Sequence, residues 1–228
     1  MGPEIGEAGR RLSGGANARW VYIPTAAGNV TDTVPPGNLV ARGASVTTLH
    51  TWDRKLADSD AFVAPLLSAT AVYFGGGRQW RIVDAYGGTR TEREIRAVLD
   101  RGGLIAGTSA GATIQGSYLV RGSPKGAGIM MAPGHERGFG YLQNAAIDQH
   151  VLARGRANDM APVVAAHPGL LGIAIDEGTA ALIQKNTLVV LGRSVILITD
   201  GASHGGKSYY TLPSGGRFDL ATWTVIGP

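Results

Sequence analysis

The chain has 228 residues, 44% of them apolar and 17% charged, enough for a sizeable core and too apolar for a disordered chain. It contains no cysteine, which excludes a disulfide framework, a thiolate nucleophile and a cysteine zinc site. The net charge of +4 comes from scattered basic residues without a nucleic-acid motif, and no stretch approaches the ~18 apolar residues of a membrane span. From the N-terminus, Pro3–Leu12 reads as a helix stopped by Ser13-Gly14-Gly15, with no strand in front of it. A parallel α/β unit feeds such a helix from a strand, so either the sheet begins elsewhere or the chain starts one strand late.

Continuous apolar, β-branched runs at Arg19–Thr25, Ser45–His50, Thr70–Phe74, Gly103–Gly107 and Leu171–Asp176 read as buried strands. Helical patterns lie between them. Asp58–Ser68 places Phe62, Pro65, Leu66 and Leu67 on or near one face. Thr91–Asp100 opens on a capping box from Thr91 to Glu94 and stops at Gly102, and Asp159–His167 ends at Pro168-Gly169. This alternation predicts one α/β domain over residues 1–228, with a mainly parallel central sheet and helices on both faces. After Gly178 the rhythm changes: Thr179–Gln184, Thr187–Leu191 and Ser194–Thr199 predict an antiparallel meander. A loop-rich stretch, 201–216, leads to a last strand near Leu220–Ile226. The N-terminus lacks the basic and then apolar pattern of a signal peptide. As it stands the chain reads as soluble and cytoplasmic, and a late start is compatible with an exported form.

Gly107-Thr108-Ser109-Ala110-Gly111 follows a buried strand and precedes a predicted helix, Ala112–Ser117. That is the setting of a strained nucleophile elbow, in which flanking glycines let the backbone turn sharply and force a serine into the open. Ser109 is therefore the candidate nucleophile, and the Ala110 amide one oxyanion donor. Gly75-Gly76-Gly77, directly after the strand ending at Phe74, offers a second donor through bare amides at Gly76 or Gly77. A phosphate loop is the rival reading of these glycines, but the Gly-Lys-Ser/Thr ending is absent.

A serine nucleophile needs a base, and there are five histidines. His50 ends a strand, His135 and His204 sit in glycine-rich loops, and His167 closes a helix. His150, in the polar cluster Asp148-Gln149-His150, is the strongest candidate. An acid to orient it is available at Asp176-Glu177, at the carboxyl edge of the sheet. The order serine, histidine, acid departs from the serine, acid, histidine order of the α/β-hydrolases.

Phe74-Gly75-Gly76-Gly77-Arg78-Gln79-Trp80-Arg81, Gly107-Thr108-Ser109-Ala110-Gly111-Ala112, Ile147-Asp148-Gln149-His150, Arg154-Gly155-Arg156 and the run Gly172–Thr179 together resemble the cyanophycinase and dipeptidase E family of serine peptidases. The fold of that family is similar to class I glutamine amidotransferases, and the likeness, over roughly Pro3 to Asp200, is closer to the cyanophycinase branch. The resemblance implies Ser109 as nucleophile, His150 as general base and Glu177 as its orienting acid. It also implies that Gln79, Asp148, Gln149, Arg154 and Arg156 line the substrate pocket. There Asp148 would meet a substrate guanidinium and the two arginines would grip carboxylates. The substrate class implied is an aspartyl or β-aspartyl peptide or polymer, as in β-aspartyl-arginine units, with no metal or organic cofactor. An α-aspartyl dipeptidase and a non-catalytic binding protein are the alternatives, and a homodimer is compatible with the terminal strands. The family's glycine-bearing strand before the first helix has no counterpart. Arg78 stands where the family often has aspartate, and Ala157-Asn158-Asp159 where a further arginine is frequent.

Overall fold

A computed structural model of the protein describes residues 2–30, 35 and 37–227. Helix α1 (Pro3–Ser13) starts on Pro3 with Glu4 in its first turn and carries Arg10 and Arg11 in its last, charges that suit the helix dipole. Gly14, at φ 107°, stops it by returning its amide to the Arg10 carbonyl. Then come β1 (Arg19–Ile23), β2 (Ser45–Thr48), α2 (Arg54–Ala57), α3 (Asp60–Ser68), β3 (Ala71–Phe74), α4 (Gln79–Tyr86), α5 (Arg90–Asp100) and β4 (Leu104–Gly107).

These four strands form a wholly parallel sheet in the order β2-β1-β3-β4. Both faces of the inner strands β1 and β3 are covered, which is why these two read as continuous apolar runs, whereas the edge strand β2 stays partly exposed. On β1, Val21 and Ile23 pack with Val63, Leu66, Ile82, Ile95 and Val98 beneath the helices. The alternate residues Trp20 and Tyr22 pack with Leu39 and Tyr73 on the other side.

The chain next forms α6 (Ala110–Thr113), β5 (Gly116–Tyr118), β6 (Leu142–Gln149), α7 (Met160–Ala166) and β7 (Leu171–Ile175). Strands β5, β6 and β7 run parallel, and β10 (Ile196–Thr199) and β11 (Tyr210–Leu212) extend them antiparallel in the order β11-β10-β7-β6-β5. A third sheet of β8 (Thr179–Gln184), β9 (Thr187–Gly192), β12 (Arg217–Asp219) and β13 (Thr224–Gly227) is antiparallel, in the order β13-β12-β9-β8.

Several elements differ from their sequence expectation, each for a visible reason. The first two strands of the expected meander do pair across Lys185-Asn186, with Lys185 at φ 54°. The third crosses to β7 instead, because every residue of β10 is buried, whereas β9 alternates and keeps one face half open. Helix α5 is capped differently from the expected box. The Thr91 hydroxyl is buried and donates to the Ala57 carbonyl, and the helix-start carboxylate is Glu92, which accepts the Gly88 amide at 2.6 Å. The helix after Ser109 begins at Ala110 and ends by Thr113, since Gly116 must approach the Ala145 carbonyl to start β5. Helix α4 and strands β5 and β6 have no counterpart in the sequence reading.

Candidate active site

β4 ends at Gly107 and α6 starts at Ala110, so Thr108 and Ser109 must reverse the chain alone. Ser109 takes φ 54° and ψ −119°, backbone that residues with side chains seldom adopt. The flanking glycines allow it by close approach. A Cβ on Gly107 would lie 2.2 Å from the Gly111 carbonyl oxygen, and one on Gly111 would lie 2.2 Å from that of Phe74. The elbow is thus pressed directly onto the end of β3.

Strand β6 carries His150 to the same edge, and His150 also has positive φ, 58°. Its Nε2 lies 3.2 Å from Ser109 Oγ and its Nδ1 lies 2.9 Å from Glu177 Oε1, just beyond β7. A carboxylate at Nδ1 holds the proton there and leaves Nε2 as an acceptor facing the serine hydroxyl. The His150 side chain is 21% exposed and that of Glu177 is 49% exposed, so the relay opens to solvent and to any ligand.

Asp176, the neighbour of Glu177, anchors the turn that follows His150. Its Oδ1 accepts the amides of Leu152 and Ala153 at 3.0 and 3.1 Å, and its Oδ2 accepts the Ser194 hydroxyl at 2.7 Å. Burial alone would raise the Asp176 pKa. The bonds from Ser194 and from the amides of Ala153, Glu177 and Leu152 outweigh burial and hold the group below the usual carboxylate range.

Gly76 faces the serine: a Cβ there would lie 3.3 Å from Ser109 Cβ. Gly77 does something different. At φ 138° it packs on Ala26, where a Cβ would meet the carbonyl oxygen at 2.2 Å, and the Arg78 amide then bonds that oxygen at 2.8 Å. The Ala110 amide heads the helix that follows Ser109.

The expected pocket residues divide sharply. Gln149 lines the cavity beside His150, and its Oε1 is enclosed with no hydrogen-bond partner. Asp148 corrects the expectation that it meets substrate. It is fully buried and grips Arg121 through both oxygens, at 2.8 and 2.9 Å, which leaves no carboxylate edge for a guanidinium. Gln79 is buried as well, its Nε2 donating to the Val120 carbonyl, so it braces the protein behind the site. Arg154 is exposed and Arg156 half-buried on the turn after His150, and neither lines the cavity. Arg121 was not singled out from the sequence, though a lone arginine after Leu119-Val120 is the local signal. It also bonds the half-buried Asp159 at 2.5 Å, which ties that acid to the same ion cluster.

Three of the other histidines have partners of their own. His50 meets the Thr25 hydroxyl at 3.0 Å, and burial lowers its pKa. His167 caps α7 and packs on Tyr118. His204 is not simply solvated, since it contacts Asp200 at 2.9 Å and packs edge-on against Tyr210.

The cavity at Ser109, His150 and Glu177 has a volume of 880 Å³ and runs from these residues along β4 to α1. Among the described residues no helix is long and apolar enough to cross a membrane.

The fold and this geometry define an α/β protein built on a nucleophile elbow, with a histidine and a carboxylate aligned behind its serine. The family model described as peptidase family S51 matches residues 4–191, and the chain belongs to that family. Cyanophycinase of Nostoc sp. (strain PCC 7120 / SAG 25.82 / UTEX 2576) is 33% identical over 162 residues, 68% of this chain and 53% of the relative. Cyanophycinase of Geminocystis herdmanii (strain PCC 6308) is 31% identical over 160 residues, 67% of this chain and 57% of the relative. The chain thus spans about half the length of the curated relatives it matches. Among solved structures, a peptidase from an acI-B1 Actinobacterium superposes with a TM-score of 0.71 at 22% identity, covering 95% of this chain and 90% of that one. A putative peptidase E protein from Listeria monocytogenes EGD-e gives 0.59 at 18% identity, covering 84% and 95%. At these identities the likeness is one of fold.

Proposed function

We propose that the protein is a serine peptidase that hydrolyses β-aspartyl peptide bonds through an acyl-enzyme. The observation that carries this reading is the Ser109–His150–Glu177 alignment at 3.2 and 2.9 Å on an elbow whose serine is held at positive φ. Ser109 Oγ attacks the carbonyl carbon while His150 Nε2 accepts its proton. The amides of Ala110 and Gly76 (or Gly77) receive the oxyanion, worth about 3 kcal/mol or more of transition-state stabilisation. His150 then gives the proton to the leaving amine, and water, activated by the same nitrogen, releases the acyl group.

The β-aspartyl preference rests on membership of family S51 and on the cyanophycinases among the curated relatives. Since Asp148 is committed to Arg121, the solvent-open Glu177 is a carboxylate left at the cavity to meet a substrate donor.

A fluorophosphonate probe should label the protein, and Ser109→Ala should abolish labelling. Labelling that survives the substitution would sink the nucleophile. Incubation with a β-Asp-Arg dipeptide, with its polymer and with α-Asp-X dipeptides then tests the leaving group. Turnover of the α-linked peptides alone would replace the β-aspartyl reading with the dipeptidase one. Absence of labelling and of all turnover would favour a binding protein that keeps the fold.

A further inference from the structure

Two acids follow β7 in succession, and each takes hold of His150 from a different side. Glu177 meets the ring at Nδ1, 2.9 Å away. Asp176 meets the backbone, since its Oδ1 accepts the amides of Leu152 and Ala153, the second and third residues after His150. His150 sits at φ 58°, left-handed backbone that a residue with a side chain keeps only when its surroundings enforce it. The turn it opens is closed from within by the Arg154 amide on the His150 carbonyl at 3.0 Å and the Arg156 amide on the Val151 carbonyl at 2.6 Å. The Asp176 carboxylate ties the start of that turn to the end of β7.

The carboxylate is aimed in turn by the connection from β9 to β10. Ser194 Oγ donates to Asp176 Oδ2 at 2.7 Å. A carboxylate is planar, so fixing Oδ2 also directs Oδ1 at the two amides. Three more bonds seat the connection on the same strand end. The Asp176 amide donates to the Val195 carbonyl at 3.2 Å, the Arg193 amide to the Gly178 carbonyl at 3.1 Å, and the Ser194 amide to Thr179 Oγ1 at 3.1 Å. Two glycines permit so close a seat. A Cβ on Gly192, at φ 108°, would lie 2.2 Å from the Gly178 carbonyl oxygen, and one on Gly178 would lie 2.6 Å from Arg193 Nε. Ser194 is half-buried and does not line the cavity, so its influence on the reacting groups passes through Asp176.

We propose that Ser194 is a positioning residue for the base, an inference that rests on reading Ser109, His150 and Glu177 as the reacting groups. Ser194 fixes the plane of the Asp176 carboxylate. Asp176 fixes the turn that keeps His150 at positive φ, and the ring then meets Glu177 and Ser109 together. Without the Ser194 hydroxyl the carboxylate is free to rotate about its Cβ–Cγ bond. Leu152 and Ala153 lose their shared acceptor, and the His150 backbone relaxes towards ordinary φ. The ring swings with it. Its Nε2 lies 3.2 Å from Ser109 Oγ, already at the long end of the hydrogen-bond range, so a small swing breaks that contact first.

The test uses the full chain with Ser194→Ala, Ser194→Thr and Arg193→Ala, all measured well below their unfolding transitions. The first readout is the low-field proton resonance of an imidazole Nδ1–H bonded to a carboxylate, which requires no hydrolysis. It should be sharp in the unmodified protein, broadened by exchange with water in Ser194→Ala, and sharp again in Ser194→Thr, which keeps a hydroxyl. The second is the rate of fluorophosphonate labelling at Ser109. It should fall about tenfold in Ser194→Ala and stay within about twofold in the other two variants. If Ser194→Ala does not fold, Thr179→Val, which removes the acceptor of the Ser194 amide at constant shape, should move both readouts the same way. A resonance absent from the unmodified protein, or equally sharp in Ser194→Ala, overturns the proposal. So does equal slowing by Arg193→Ala, which would assign the effect to the connection as a whole. Labelling absent from every protein, with the resonance responding as expected, would sink the nucleophile and still support the placement of His150 by Ser194.

Discussion

The carboxylate of Asp176 holds the main chain at Leu152, two residues past His150, by accepting a hydrogen bond of 3.0 Å from the Leu152 amide. The group is stabilised in its ionised form, with a folded pKa below its unfolded one. Its bonds therefore contribute fully above the ordinary carboxylate pKa of about 3.9 and are lost as the pH falls through the lower folded value. Protection of the Leu152 and Ala153 amides, taken relative to free amides at the same pH, should hold from neutral pH down to the ordinary carboxylate range and fall below it. In Asp176→Ala the same amides should exchange fast at every pH, with a stability loss of about 1–3 kcal/mol. Protection that stays constant to the lowest pH at which the unmodified protein remains folded would refute this role.

Ser109 occupies backbone that favours glycine. Ser109→Gly should raise the unfolding free energy by about 1 kcal/mol, because the strain disappears with the side chain. Any turnover should fall by at least ~10³ in the same variant. Denaturant midpoints of the two proteins decide it, and a less stable glycine variant would contradict the reading of strain.

Arg121 and Asp148 are buried together, so removing one leaves a bare charge in the interior. Arg121→Met should cost about 3–5 kcal/mol, whereas Arg121→Met combined with Asp148→Leu should recover much of the loss. Equal destabilisation in the single and double variants would show that the pair is not coupled.

Gly111 has the Phe74 carbonyl where a Cβ would go. Gly111→Ala should push the elbow off β3, cost about 2–4 kcal/mol and abolish probe labelling at Ser109. A control at Gly126, where a Cβ meets nothing within 4 Å, should leave stability within about 0.5 kcal/mol.

How much of this was readable in the residues follows from the range of the interactions. The inner parallel strands declare themselves because both of their faces are covered, so an apolar run suffices. The elbow is legible because its glycine requirement is local, a matter of neighbours within four residues. Strand β6 was hidden: its first half, Leu142-Gln143-Asn144, keeps polar residues outward, and its buried Asp148 is satisfied by a partner 27 residues away. The same distance explains why Asp148 read as a ligand for substrate. A carboxylate beside a candidate base looks available until its arginine is in place. Helix α4 was obscured in the same way, since it begins at once after the glycines and buries Gln79 against the Val120 carbonyl, 41 residues on.

The alternation along β6 gives the Arg121–Asp148 pair a second consequence. Asp148 points inward to its arginine, while Gln149, the next residue, borders the cavity. A slip of β6 by one residue would exchange those environments, placing an amide against Arg121 and a naked carboxylate beside His150. The ion pair thus works as an alignment pin. A sheet slipped in that way would leave a buried charge without its partner, a cost of about 3–5 kcal/mol that the native register avoids.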